Sequence, residues 1–173
     1  MKNRFLIRLA GKSDIPFLAD VERSAAAAFH ALPDYDPSGR VVEPLLLEQM
    51  SIEKKLWVAT ASDGKLIGFI GCEDIDDFLY IHEISVAHDF QKQGIGRSLM
   101  LTALDEARER GYKAIGLTTR RDAYWNGPFY RSLGFCELTD EKEWPGLFSQ
   151  LQREIVEGAD PLIRCAMIKI VNR

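Results

Sequence analysis

The chain has 173 residues, 46 % hydrophobic and 28 % charged, with a formal net charge of −4. That is enough for one domain, residues 1–173, with a buried core. The mild acidity argues against nucleic-acid binding, which runs on positive charge. No apolar run approaches the roughly 20 residues that span a bilayer, so no membrane is expected either.

FLIRL (5–9) reads as a first strand. Ser13-Asp14 offers a helix cap, and Pro16 is tolerated in the first turn. Ile15, Leu18, Val21, Ala25 and Ala28 recur at helical spacing, which predicts a helix to about Phe29. HALPDYDPSGR (30–40) is loop, and a short helix follows from Pro44 to about Glu53. LWVATAS (56–62) and KLIGFIGCE (65–73) flank Asp63-Gly64, a type I′ hairpin signal. The acidic turn DIDD (74–77) leads to the strand FLYIHEISV (78–86). Helical spacing over 98–111 precedes KAIGLTT (113–119), so this strand–helix–strand unit implies parallel pairing. WNGPFYRSLGF (125–135) reads as a short helix starting at Gly127-Pro128 and stopping at Gly134. Phe135 to Leu138 is a strand. Leu147, Leu151 and Ile155 mark an amphipathic helix, and IRCAMIKIV (163–171) is a closing strand. The whole predicts one α/β domain with a mixed, mostly antiparallel sheet.

Cys72, Cys136 and Cys165 lie far apart, with no CxxC. They read as buried thiols of a reducing compartment, not as a disulfide framework. MKNRFLIRLAGKSD lacks the cleavage site of a signal peptide. Both features predict a cytoplasmic protein. His30, His82 and His88 have no ligand spacing, so no metal is expected.

QKQGIGRS (91–98) sits where a strand becomes a helix. A glycine-rich turn there exposes backbone N–H groups at the positive end of a helix, where phosphate is the usual guest. The bland reading is a tight connection that binds nothing. The P-loop pattern is absent. The dinucleotide fingerprint G-x-G-x-x-G fails because Leu99 replaces the third glycine, and no acidic residue follows near 115–119.

The stretch Gln91-Lys92-Gln93-Gly94-Ile95-Gly96 resembles the pyrophosphate motif (Q/R)-x-x-G-x-(G/A) of the GNAT superfamily of N-acetyltransferases. FYRSLGF (129–135) resembles the later signature of that family. The order of elements is also similar, so the resemblance covers most of the chain. It implies the GNAT fold, a mixed sheet flanked by helices, and acetyl-CoA held between the fourth and fifth strands. The N–H groups of Gln93, Gly94, Ile95, Gly96, Arg97 and Ser98 would then hold the pyrophosphate, with Gln91 against it. Main-chain groups of Ile84, Ser85 and Val86 would pair with the pantetheine arm, and one N–H there would polarise the thioester carbonyl.

The reaction implied is direct acetyl transfer to an amine. An alkylamine is mostly protonated at neutral pH, so a base is useful, and so is an acid for the leaving thiolate. Tyr130 matches the family's tyrosine before x-x-x-Gly-Phe and is the acid expected; otherwise it is a half-buried aromatic. Glu83, in an apolar strand, is the base expected or else a paired structural carboxylate. His82 is the second base candidate and otherwise a satisfied core residue. Asn126 stands four residues before Tyr130, closer than the family pattern, and reads as a helix cap or a contact to the CoA arm. The segment resembles a subgroup with W-N-x-P-F-Y. Cys72 has no motif to support a covalent acyl route.

The family's acceptor site implies a role for the loops 29–40 and 140–146. Asp34 and Asp36, with Asp140, Glu141, Glu143 and Trp144, suit a cationic small amine, or are solvated acidic loops. A peptide or lysine amine is also open. The alternative class is a CoA-binding sensor without chemistry. A longer acyl donor is a third reading, with room left by Gly68 and Gly71. A homodimer through the 163–171 strand is compatible with the family.

Overall fold

A computed structural model describes residues 5–32 and 38–171. The elements run β1 (Phe5–Leu9), α1 (Ile15–Ala26), α2 (Pro44–Ile52), β2 (Leu56–Ala61), β3 (Leu66–Ile75), β4 (Phe78–Val86), α3 (Ile95–Glu109), β5 (Ala114–Arg120), α4 (Asn126–Ser132), β6 (Cys136–Glu137), α5 (Pro145–Val156) and β7 (Arg164–Ile170). Strand order is β1-β2-β3-β4-β5-β7-β6. Pairing is antiparallel for β1–β2, β2–β3, β5–β7 and β6–β7, and parallel for β4–β5, as the crossover through α3 requires. Two compact units emerge. One runs to Glu73 and adds His82–Ala103; the other holds Asp74–Ile81 and the chain from Leu104.

In the first unit, Ile15, Leu18 and Val21 of α1 and Leu47 and Met50 of α2 bury one apolar stripe each against Leu56, Val58 and Phe69. Alternation along β3 sends Phe69 and Gly71 to that face, where a Cβ on Gly71 would lie 2.7 Å from the Met50 sulfur. Gly68 faces the other way, toward Ile95 and Leu99 of α3. The chain enters α1 through Asp14, which occupies the cap position without capping. Its carboxylate instead accepts from Arg8 at 2.7 and 2.9 Å and from the Gly11 N–H at 2.8 Å. A charged fork outcompetes a local amide for a carboxylate with little exposure.

The β2–β3 hairpin departs from the two-residue turn expected. Gly64 is left-handed at φ +85°, but Asp63 is not among the positive-φ residues. The Gly64 N–H bonds the Ala61 carbonyl at 2.9 Å, and Lys65 receives the Ala61 N–H at 2.9 Å. This is a three-residue loop ending in a glycine bulge, so Asp63-Gly64 marks the turn but not its type.

In the second unit, Leu147 and Leu151 of α5 pack on Phe78, Tyr80, Ala114, Ala166 and Ile168. A half-buried polar network crosses this layer. Glu154 accepts from Thr118 at 2.6 Å and from Arg164 at 2.8 and 2.5 Å, and the Tyr80 hydroxyl points to the same carboxylate at 3.4 Å. Burial, then the Glu154 charge, pushes the Tyr80 phenol far above its ordinary value. β7 has a neighbour on each side, with Met167 and Ile168 paired to β6, so pairing between subunits there requires displacing β6.

Candidate functional site

β4 ends at Val86, and the Ala87 N–H is fixed by the Ile67 carbonyl at 2.9 Å. One 3₁₀ turn, His88–Phe90, brings the chain to Gln91. Lys92 and Gly94 then adopt left-handed backbone, at φ +59° and +85°. Glycine takes that conformation freely; lysine does so at a cost in strain. A Cβ on Gly94 would meet nothing within 4 Å, so the glycine serves conformation rather than room.

α3 starts at Ile95, whose side chain is buried and anchors the helix end. The Ser98 N–H closes the first helical bond to the Gly94 carbonyl at 3.0 Å. Ser98 therefore contributes no free amide to an anion, and the cradle expected over Gln93–Ser98 loses its last N–H. An α-helix leaves its opening N–H groups without intrahelical acceptors. Here they start at Ile95, in a turn whose Lys92, Gln93 and Gly94 are exposed. A pyrophosphate fits such a cradle.

Two glutamines brace the turn. The Gln91 side-chain amide donates to the Val86 carbonyl at 3.0 Å and to the Ala25 carbonyl at 3.4 Å. That of Gln93 donates to the Asp89 carbonyl at 3.1 Å. Ser24 of α1 accepts the His88 N–H at 3.0 Å. Gln91 thus ties the end of β4 to α1, an inward role that the expected contact with a ligand did not anticipate.

On β4, Ile84 and Val86 are half-buried and Ser85 is buried. The Ser85 hydroxyl donates to Glu83 at 2.7 Å, so these two share one face of the strand. His82 lies on the other face and is no core residue: its side chain is 28 % exposed. Its Nδ1 lies 2.5 Å from the Glu73 carboxylate of β3. Glu22 of α1 also acts on His82 electrostatically; burial pushes the Glu22 carboxyl above its usual range, opposed by the Val42 N–H bond and by His82. Glu22 and Glu73 were not singled out from sequence. The available signal was the pattern Phe69-Gly71-Glu73, a β3 face that turns from core to charge.

The second unit carries Tyr130 and Asn126. Tyr130 is buried, with its ring edge-on to Phe129 and Phe135 at 5.1 and 6.0 Å. Gly134, at φ +89°, ends the turn after α4 and aims the chain into β6. Asn126 is the first residue of α4, and Trp125 holds the cap position. The Asn126 amide donates to the Thr119 hydroxyl at 3.0 Å, so it locks α4 to β5 instead of capping the helix.

Gly68 and Gly71 open no acyl space, because Ile95, Leu99 and Met50 fill the volume beside them. Trp144 packs edge-on against Phe78 at 5.7 Å and belongs to the core, while Asp140, Glu141 and Glu143 are exposed. Asp34 and Asp36 lie outside the described residues. Cys136 is exposed, unlike Cys72 and Cys165. Among the described residues there is no metal-binding cluster of His, Cys, Asp or Glu, and no helix long and apolar enough to cross a membrane.

The model of the Acetyltransferase (GNAT) family matches residues 22–135, which include both the β4–α3 turn and Tyr130. The chain belongs to the GNAT family. A probable N-acetyltransferase, camello, of Xenopus tropicalis is 38 % identical over 89 residues, 50 % of this chain and 40 % of that one. The [ribosomal protein bS18]-alanine N-acetyltransferase of Escherichia coli is 30 % identical over 92 residues, 53 % of this chain and 62 % of that one. The chain thus matches between two fifths and two thirds of the length of these GNAT relatives. The crystal structure of PaiA N-acetyltransferase from Thermoplasma acidophilum, in complex with coenzyme A, superimposes with a TM-score of 0.71 at 17 % identity. It covers 96 % of this chain and 98 % of that one, and so shares the GNAT fold.

Proposed function

We propose that this GNAT protein is an acetyl-CoA-dependent N-acetyltransferase that transfers acetyl directly to a primary amine. The observation that carries the reading is the solvent-facing turn Gln91–Ser98, with left-handed Lys92 and Gly94 opening a 15-residue helix. Acetyl-CoA supplies an activated acetyl thioester. The N–H groups from Gln93 to Arg97 would hold its pyrophosphate, and the main chain of Ile84–Val86 its pantetheine arm.

Transfer forms a C–N bond at the amine and breaks the thioester C–S bond. A proton leaves the amine and another reaches the thiolate. Tyr130 is assigned as the acid for the thiolate, because the family signature falls on it and its hydroxyl belongs to a ring held from two sides. β4 offers two proton acceptors on opposite faces, Glu83 and His82.

A small amine is the acceptor that the acidic composition of residues 29–40 and 140–146 supports. The name of the E. coli relative, which acts on an alanine of a ribosomal protein, supports peptide amines as well. The test is free-thiol release from acetyl-CoA in the presence of a polyamine, an amino acid, an amino sugar and a peptide with N-terminal alanine. A direct CoA titration runs alongside. Release with one amine class names the acceptor. Tight CoA binding without release from any of them favours the sensor reading. Absence of CoA binding overturns both.

A further inference from the structure

The second unit holds a cavity of about 260 Å³ lined by residues of β5, α4, β6 and β7. Its floor is Thr119 of β5 with Cys165 and Met167 of β7, all three buried. Thr119 and Cys165 are direct partners in the β5–β7 register, and Met167 lies two residues further on, so alternation sends all three to one face of the sheet. Gly127 and Arg131 of α4 form another wall; four residues apart, they share one helix face. Asn126 and Tyr130 each precede them by one residue, about 100° round the helix. The cavity face of α4 is therefore not the face assigned to the donor.

Three arginines line the cavity, and two of them are neutralised. Arg120 donates to Asp122 at 2.6 and 2.9 Å. Arg121 donates to Glu137 at 2.9 Å and to the Leu162 and Arg164 carbonyls at 3.3 and 2.9 Å. The Arg131 guanidinium has no hydrogen-bond or ion-pair partner among the described residues. It folds back over Gly127, where a Cβ would lie 3.0 Å from both terminal nitrogens, so glycine leaves it room to do so. Burial, then Glu137, raises the Cys165 thiol, against Arg121, Arg164 and Arg131. The thiol thus stays protonated and adds no negative charge to the floor. Thr119 Oγ1 accepts from Asn126, which leaves its own proton to donate.

The cavity therefore offers one uncompensated cation and one hydroxyl donor beside a floor of thioether and neutral thiol. A guanidinium fork suits an oxyanion. An apolar floor suits carbon, since small-ligand sites are mostly apolar with a few polar groups that orient the ligand. The volume falls below the roughly 300–1,000 Å³ of drug-sized sites, which limits the ligand to a small one. We propose that this cavity binds a small carboxylate with a short apolar chain, its carboxylate on Arg131 and the Thr119 hydroxyl, its chain over Met167 and Cys165. The site shares no residue with the turn Gln91–Ser98, and it stands whether or not the transferase reading does.

The test is calorimetric titration of the full chain with butyrate, in chloride buffer free of phosphate and of other carboxylates. The neutral counterpart is 1-butanol. Wild type binds butyrate and not 1-butanol. Arg131→Gln weakens butyrate binding about tenfold or more, the loss of a charge-assisted contact. Gly127→Ala weakens it too, because the new Cβ displaces the guanidinium, while Tm holds or rises since alanine is the better helix former. That variant separates loss of the site from loss of the fold. Protein saturated with CoA binds butyrate as free protein does. Absence of butyrate binding in wild type overturns the proposal, as does equal binding of 1-butanol or unchanged affinity in Arg131→Gln. Tighter binding of inorganic phosphate than of butyrate overturns the carboxylate class. Loss of butyrate binding on saturation with CoA overturns the separate site and assigns the cavity to the donor.

Discussion

Gly94 shows how much one backbone angle carries. At φ +85°, with open space beside it, any L side chain fits by volume but strains the turn. Gly94→Ala is expected to cost about 1 kcal/mol of stability, read as a small drop in Tm. CoA affinity should fall by roughly tenfold, because the N–H groups of the helix opening lose their common direction. Tyr130→Phe makes a separate prediction. Removing the hydroxyl while keeping the ring between Phe129 and Phe135 should lower kcat by about 10²-fold, with CoA affinity unchanged in the same titration. Both residues were legible in the sequence because their motifs are short and contiguous. Glu73 was not: its contact with His82 depends on which strand faces meet, and no local pattern encodes that.

At the scale of elements, β1 and α1 are joined by one ion pair. The Arg8 guanidinium holds the Asp14 carboxyl below its usual range, against an opposing contribution from burial. Because the folded-state value is depressed, the stabilisation is present above the unfolded value near 4 and is lost as pH falls through the folded value. Asp14→Asn should lower stability by about 1 kcal/mol at pH 7. Thermal melts should show the gap between variant and wild type closing as pH falls below the ordinary carboxylate range. Sequence periodicity placed the strands and helices here well, since the buried stripe of α1 is Ile15, Leu18, Val21 and Ala25 at helical spacing. Caps and turns were harder to read. Asp14 and Asn126 are good capping residues by type, yet each spends its side chain on a tertiary partner, Arg8 and Thr119. Such competition is decided by which donor the fold brings nearer.

Across the whole chain, stability rests on packing and buried polar contacts with no disulfide among the described residues. The Glu154 carboxylate shows the stakes: it serves Thr118 and Arg164 at once, joining α5, β5 and β7. Glu154→Ala should destabilise by about 3 kcal/mol, because it strands the half-buried Arg164 charge, and a denaturation midpoint checks this. The thiols give an independent check of the layers. Native protein should react with a bulky thiol reagent at one cysteine, Cys136, and at all three after unfolding. Reactivity of Cys72 in native protein would contradict its burial on β3.

Sequence by itself determined the element order, the parallel crossover through α3, the glycine-bearing strand-to-helix turn at Gln91–Ser98 and the family. These are local: a period, a glycine position, a motif of six residues. Only the tertiary structure decided which face of β4 carries which chemistry. Alternation separates Glu83 from His82 by a single residue, and the strand alone treats the two faces alike. The difference comes from what each face meets, Ser85 beside Glu83 and the Glu73 carboxylate of β3 beside His82. The environment of an ionisable group is set by neighbours distant in sequence, so it is written in the packing and not in the strand.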